Sequence, residues 1–244
     1  MNMTATTSKI SDPFLRAGVY RSLAQAFSYP DQAMATALQK IWSSQLQFWK
    51  QDWPDGVRDL LVTALEELQH STVPELEEAH VRLFGPAARC PLTETSWGDA
   101  ARLLGKPAQI ADISGFYRAF GLQPVSGPDA TPEDHLVTEL EFMSILYLKE
   151  AYARTAGLEE QLSITRDALN KFLEEHLATW TDYWIEQVQC ENPPAFYRTL
   201  ATLLQSLLRF ECLRLGLKPQ PIRARAVDTV VGADALECPL ATAP

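Results

Sequence analysis

Cysteine is scarce in this 244-residue chain: the four present, Cys90, Cys190, Cys212 and Cys238, lie far apart and none stands in C-x-x-C spacing. Neither a disulfide framework nor a zinc knuckle follows from such spacing, so all four are expected to be free thiols. Long apolar runs are absent as well. No window approaches the roughly 18 apolar residues of a membrane span, and the opening "MNMTATTSKISDP" has no apolar middle of the kind a signal peptide needs. The expectation is a cytoplasmic protein with no membrane span. Basic residues are outnumbered, 21 Lys and Arg against 31 Asp and Glu, giving a formal charge of -10. That balance argues against a nucleic-acid partner, because phosphate contacts need clustered lysine and arginine, and it favours a basic one.

Strand signals are also missing, since no run of β-branched residues bounded by turn residues occurs. With 46% hydrophobic and 21% charged residues the composition is that of a globular protein, and nearly every segment carries helical periodicity. An all-α, single-domain helical bundle over residues 11-218 is therefore expected, with a flexible N-terminus at 1-10 and a flexible tail at 219-244. There is no internal repeat.

The first helix is expected to use Ser11 or Asp12 as its cap, with Pro13 in the first turn, and to bury Phe14, Leu15, Val19, Leu23 and Phe27. Others are expected from Gln32 to Trp49, Val57 to Gln69 and Val73 to Leu83. Between Phe84 and Leu122 the chain is irregular and rich in Gly and Pro, with a short helix around Asp112 to Phe120. A connection that long usually carries function. Later helices are expected from Pro132 to about Thr155, Leu158 to Leu173, Leu177 to Gln189, with the last two potentially continuous, and Ala195 to Leu215.

The stretch "ATPEDHLVTELEFMSILYLKE", residues 130-150, raises the main functional question. Thr131 suits an N-cap, Pro132 the first helical position, and Glu133 and Asp134 the positive end of the helix dipole. From Leu136 to Leu148 apolar residues surround the helix, as in a buried central element. Glu139 falls among them, so its carboxylate is expected to be partly buried and to need a partner. His135, one turn earlier, is the nearest candidate and its protonated form would be favoured. The two make either an acid-base pair, as in a small helical hydrolase or lyase, or a structural pair.

Other chemistry is poorly supported. "LLGKPAQ" has a Gly-Lys pair but lacks the rest of a phosphate-cradling loop. The histidines His70, His80, His135 and His176 supply one E-x-x-H, at Glu77 and His80, where a helical di-metal centre needs two plus further glutamates. Cys90, before Pro91, is the one thiol with a plausible exposed setting for nucleophilic catalysis. Trp97, in the irregular loop, is expected to be an exposed aromatic.

Several short motifs in order resemble the TorD family of redox-enzyme maturation chaperones, which includes the DmsD and NarJ branches. They are "VRLFGP" (81-86), "CPLTETSWGD" (90-99), "IADISGFYRAFGL" (110-122), "PEDHLVTELEFM" (132-143) and "FLEEHLATW" (172-180). The resemblance covers about residues 14 to 215. One departure is that Pro132 and Glu133 stand where Glu-Pro often precedes Asp-His. The resemblance implies an all-helical, non-enzymatic cytoplasmic chaperone that needs no cofactor. Such a chaperone binds the twin-arginine signal peptide or N-terminus of a molybdopterin enzyme's catalytic subunit and holds the apoenzyme for cofactor insertion before export. It implies a peptide site lined by Pro132, Glu133, Asp134 and His135, faced by Glu94 and Trp97 from the first loop and Gly121 from the second, with Glu139 included. A monomer or a domain-swapped dimer fits such a chain.

Overall fold

The computed structural model describes residues 13-48, 55-85, 88-98, 105-123, 127 and 130-222, and nine α-helices are found among them. They are α1 (Pro13–Phe27), α2 (Gln32–Phe48), α3 (Asp55–His70), α4 (Val73–Phe84), α5 (Lys106–Ala119), α6 (Leu136–Ala156), α7 (Glu159–Phe172), α8 (Ala178–Cys190) and α9 (Ala195–Leu215). The protein is all-α: no strand forms among the described residues, and Thr93 pairs with His135 in an isolated bridge. The proposed cap at Ser11 or Asp12, the flexible end at 1-10, Cys238 and the tail beyond Ile222 lie outside the described residues. So do Trp49 and most of the turn sequences "QDWPDG" and "QPVSGPDA".

α6 is the centre of the bundle. Its side chains Leu136, Leu140, Phe142, Met143 and Leu146 are buried on successive faces, and it packs along α1 on one side and α7 on another, while α3 and α8 pack on α9. Local signals set the ends. Glu75 accepts a hydrogen bond from the Thr72 N–H at 2.9 Å to open α4, and α6 closes on Gly157, whose φ of 68° is one that only glycine adopts without strain. α7 and α8 are one continuous rod, as the sequence allowed, joined by a single π-helical turn at Leu173–Leu177. A π turn adds a residue to the helix and so rotates the side chains beyond it about the axis. Here it brings His176 into the interior.

Three sequence expectations change. Phe14 is exposed, and α1 instead buries Arg16 and Tyr20, because Arg16 forms a buried ion pair with Glu211 of α9. Helix α5 begins at Lys106 rather than at Asp112. Helix α6 begins at Leu136 rather than at Pro132, for a reason that emerges at the site.

An aromatic cluster fixes α5 to α6 and α7: Phe142 lies 4.8 Å, centroid to centroid, from both Tyr117 and Phe172, each edge to face. Phe142 is fully buried, so Phe142→Ala should lower unfolding free energy by about 3–5 kcal/mol, measured by urea denaturation.

Candidate functional site

The loop after α4 is held against the start of α6 by a short ladder. The Glu94 N–H donates to the Asp134 carbonyl at 2.8 Å and the Leu136 N–H to the Leu92 carbonyl at 2.7 Å. The Asp134 carboxylate closes the joint, accepting from the Thr95 hydroxyl at 2.6 Å and the Thr95 N–H at 3.2 Å. These bonds take up backbone groups that would otherwise be buried unpaired. They also leave residues 132-134 in a turn, so the helix starts only at Leu136.

His135 is the N-cap of that helix, with extended backbone (φ -85°, ψ 137°) and its Nδ1 accepting from the Val137 N–H at 3.2 Å. This corrects the expected cap at Thr131 and the expected pairing with Glu139. An N-cap residue is outside the helical backbone, so i to i+4 spacing does not bring its side chain onto the next turn. An acceptor nitrogen must be unprotonated, and burial pushes the imidazole down to about 4 despite the nearby Asp134. The protonated His135 expected from the sequence is therefore also overturned, and the residue pair of the acid-base alternative is not formed.

Glu139 is fully buried and has other partners. Its Oε2 accepts from the Trp180 indole N–H at 3.3 Å, and its carboxyl is hydrogen-bonded to Glu94. Burial, followed by the charge of Glu94, raises it well above the usual carboxylate range, so Glu139 is a neutral acid that donates to Glu94. Glu94, also buried, accepts from Gln109 of α5 and from His176 Nδ1, 3.2 Å away. Burial pulls His176 down, but the hydrogen bond and charge of Glu94, with Asp112 and Glu175, outweigh it and leave His176 above its ordinary value. The cluster thus joins two acids and an imidazole in one buried chain, from Glu139 through Glu94 to His176.

The neighbouring surface is an open cleft of about 400 Å³ between α5 and the first half of α6. Tyr117, Leu122, Phe142 and Ile145 form its floor, and Glu133 and Glu141 stand among the polar groups at its edge. Ser114 donates to the Glu133 carboxylate, and the Tyr117 hydroxyl donates to the Glu133 carbonyl at 2.8 Å. Glu141 pairs with Arg21 at the surface.

The expected site residues thus separate. Pro132 and Gly121 are exposed and Glu133 half-buried at the cleft, with Gly121 (φ 77°) turning the chain from α5 into its wall at Leu122. Glu94, Asp134 and Glu139 are enclosed beneath, and His135 is half-buried. Trp97 is 0% exposed, not an exposed aromatic: its indole N–H donates to the Pro91 carbonyl at 3.2 Å and its ring meets Tyr183 edge to face. Cys90 is likewise buried, with its carbonyl accepting from Trp184, which removes the exposed setting proposed for its thiol. His80 sits among Tyr29, Phe84 and Tyr197, its Nε2 3.2 Å from the Phe27 carbonyl. No group of three or more His, Cys, Asp or Glu among the described residues is arranged to hold a metal ion, and no helix there is long and apolar enough to cross a membrane.

Glu141, Ser114 and the roles of Gln109 and His176 escaped sequence reasoning. Glu141 had a signal: with Thr138 and Ile145 it marks one partly exposed stripe on a helix that is otherwise apolar.

Comparison with known proteins places the chain. Residues 50–186 match the model of the nitrate reductase delta subunit family. The chain is 30% identical over 207 residues to a selenate reductase assembly chaperone protein from Thauera selenatis, covering 85% of this chain and 93% of that one. It is 26% identical over 214 residues to a chlorate reductase assembly chaperone protein from Ideonella dechloratans, covering 88% and 96%. A solved structure from Archaeoglobus fulgidus, described as a candidate redox enzyme maturation protein, aligns over 80% of this chain and 93% of that one, at 17% identity and a TM-score of 0.45. The chain belongs to the nitrate reductase delta subunit family, within the TorD/DmsD/NarJ-like redox-enzyme maturation chaperones.

Two substitutions test the site's proton inventory. Native His135, at about 4 against 6.5 in the unfolded chain, loses stability as pH falls from about 6.5 to about 4, because only the unfolded chain then takes up the proton. His135→Asn keeps a cap acceptor and should flatten the acid limb of Tm against pH. Glu139 has the opposite sign: its raised value gives stability that is complete below about 4.5 and is lost as pH rises toward the folded value. Glu139→Gln can still donate to Glu94 and accept from Trp180, and should flatten the neutral-to-alkaline limb.

Proposed function

We propose that this chain is a cytoplasmic, non-enzymatic chaperone for a molybdenum-containing oxidoreductase. It holds the N-terminal leader of the catalytic subunit in the cleft between α5 and α6 while the cofactor is inserted, before export. The named activities of the relatives suggest a client that reduces an oxyanion such as selenate or chlorate.

The observation that carries the reading is the pairing of Glu133 and Glu141 with the apolar floor of Tyr117, Leu122, Phe142 and Ile145. A twin-arginine leader presents two guanidinium groups followed by an apolar stretch, and a carboxylate receives a guanidinium bidentately while the floor takes the apolar side chains. Arg21 does not block this role. Its pair with Glu141 is exposed, and such pairs contribute only about 0–1 kcal/mol, so an incoming arginine can replace it. Pro132 and Gly121 shape the entrance. Glu94, Asp134, His135, Glu139 and Trp97 act from beneath, by holding the turn that carries Glu133.

Isothermal titration with a synthetic leader containing two consecutive arginines and an apolar segment tests this. The Glu133→Gln, Glu141→Gln double variant should weaken binding by about tenfold or more, and a lysine-for-arginine leader should also bind less well. Unchanged affinity in the double variant would remove the cleft from consideration.

A further inference from the structure

The face of α6 that walls the leader cleft continues beyond it. At about 100° per residue, Glu141, Ile145, Leu148 and Tyr152 fall within about 60° of arc, so one stripe runs from the cleft into the far half of the helix. Leu148 and Tyr152 are 42% and 67% exposed, and Ile164 of α7 is 56% exposed. Apolar side chains scattered singly over a surface need no explanation, but grouped ones mark a contact. Tyr152 and Ile164 line a second cavity, of about 290 Å³, together with Lys149, Leu158 and Phe120 at the end of α5.

Phe120 ties the two depressions together. Its ring meets Phe142, part of the floor of the first, edge to face at 5.8 Å, and forms a wall of the second. The two differ in charge. Glu133 and Glu141 line the first. The described residues that line the second include no carboxylate, and Lys149 stands among them with its ammonium 5.7 Å from the centre of the Phe120 ring.

We infer that this second cavity, with the stripe leading to it, receives the apolar segment of the client's leader, bound as a helix alongside α6. The inference rests on the reading of the first cleft as the arginine site, and adds to it a place, a conformation and a direction. Size calls for the second surface. The α6 wall of the first cleft ends at Ile145, about 10 Å of helix rise from Thr138, and with about 400 Å³ the cleft holds a few side chains rather than a whole leader. A leader's apolar segment of roughly 7–15 residues is about 10–22 Å long as a helix. The stripe from Glu141 to Tyr152 spans about 16 Å. Such a helix would offer it apolar side chains at i, i+3, i+4 and i+7, the pattern that a groove between helices takes.

Direction follows from charge. Lys149, with no acid beside it in the lining, opposes an arginine in the second cavity and so sends the arginines to Glu133 and Glu141. A second copy of this chain is a poorer occupant, because each copy carries a formal charge of -10 and like net charge opposes association, whereas the leader is basic.

Isothermal titration of the full chain with two synthetic leaders tests the inference. One has two consecutive arginines and a full apolar segment; the other has the same arginines and only the start of that segment. The full leader should bind about tenfold or more tightly than the short one. Tyr152→Ser with Ile164→Ser should remove that advantage and leave affinity for the short leader unchanged. Both side chains are exposed, and circular dichroism verifies that the variant is folded. Gln161→Leu extends the apolar lining and should tighten the full leader severalfold, a gain that unfolding cannot produce. Equal affinity of the parent for both leaders, or full-leader affinity unchanged in the Tyr152→Ser, Ile164→Ser variant, overturns this inference and leaves the arginine site standing. Should that variant only convert a dimer to a monomer in sedimentation, the surface belongs to a second copy and the inference is likewise overturned. Binding of neither leader by the parent overturns both readings.

Discussion

Glu139 carries a carboxyl group into the middle of an apolar helix at the centre of the bundle, where a charge without partners costs several kcal/mol. Three separate segments meet that demand. The loop after α4 brings Glu94, α8 brings Trp180, and the π turn before α8 brings His176, which is held to Glu94 in turn. Raising Glu139 well above the usual carboxylate range avoids an uncompensated charge in a dry interior. It also dictates where an otherwise irregular loop must lie. The Thr93 to His135 bridge and the Asp134 bonds to Thr95 complete the attachment.

The functional consequence is positional. Once the loop is fastened to the head of α6, the turn at 132-134 has little freedom, and the half-buried Glu133 is further fixed by Ser114 and Tyr117 of α5. One edge of the cleft is thus rigid while its other carboxylate, Glu141, sits in an exposed and replaceable ion pair with Arg21. A fixed acid beside an exchangeable one, above an aromatic floor, would suit the proposed leader, a basic and apolar segment held and later released. Tight preorganisation of both would slow release, since affinity among related complexes is set mostly by off-rates.

The helices were largely legible because periodicity, Pro at first turns and Gly at ends report on local backbone chemistry. Family motifs spread along the chain were legible too. What escaped was side-chain direction in irregular backbone. His135 and Glu139 have helical spacing, yet the i to i+4 rule fails when the first residue is the cap. Trp97 lies in a loop, and loops are usually exposed, yet this one is laid across α8 and buries its indole. Phe14 reads as core, while the charged Arg16 takes the interior position because Glu211, almost two hundred residues away, receives it. Such long-range pairing leaves no periodic trace.

The central claim is that the cleft between α5 and α6 receives the leader. Hydrogen exchange followed by mass spectrometry, on the chain with and without a twin-arginine peptide, tests it most directly. Protection should rise in residues 117-123 and 130-145, with little change around Arg214. Protection confined to other segments, or none under saturating peptide, would contradict it.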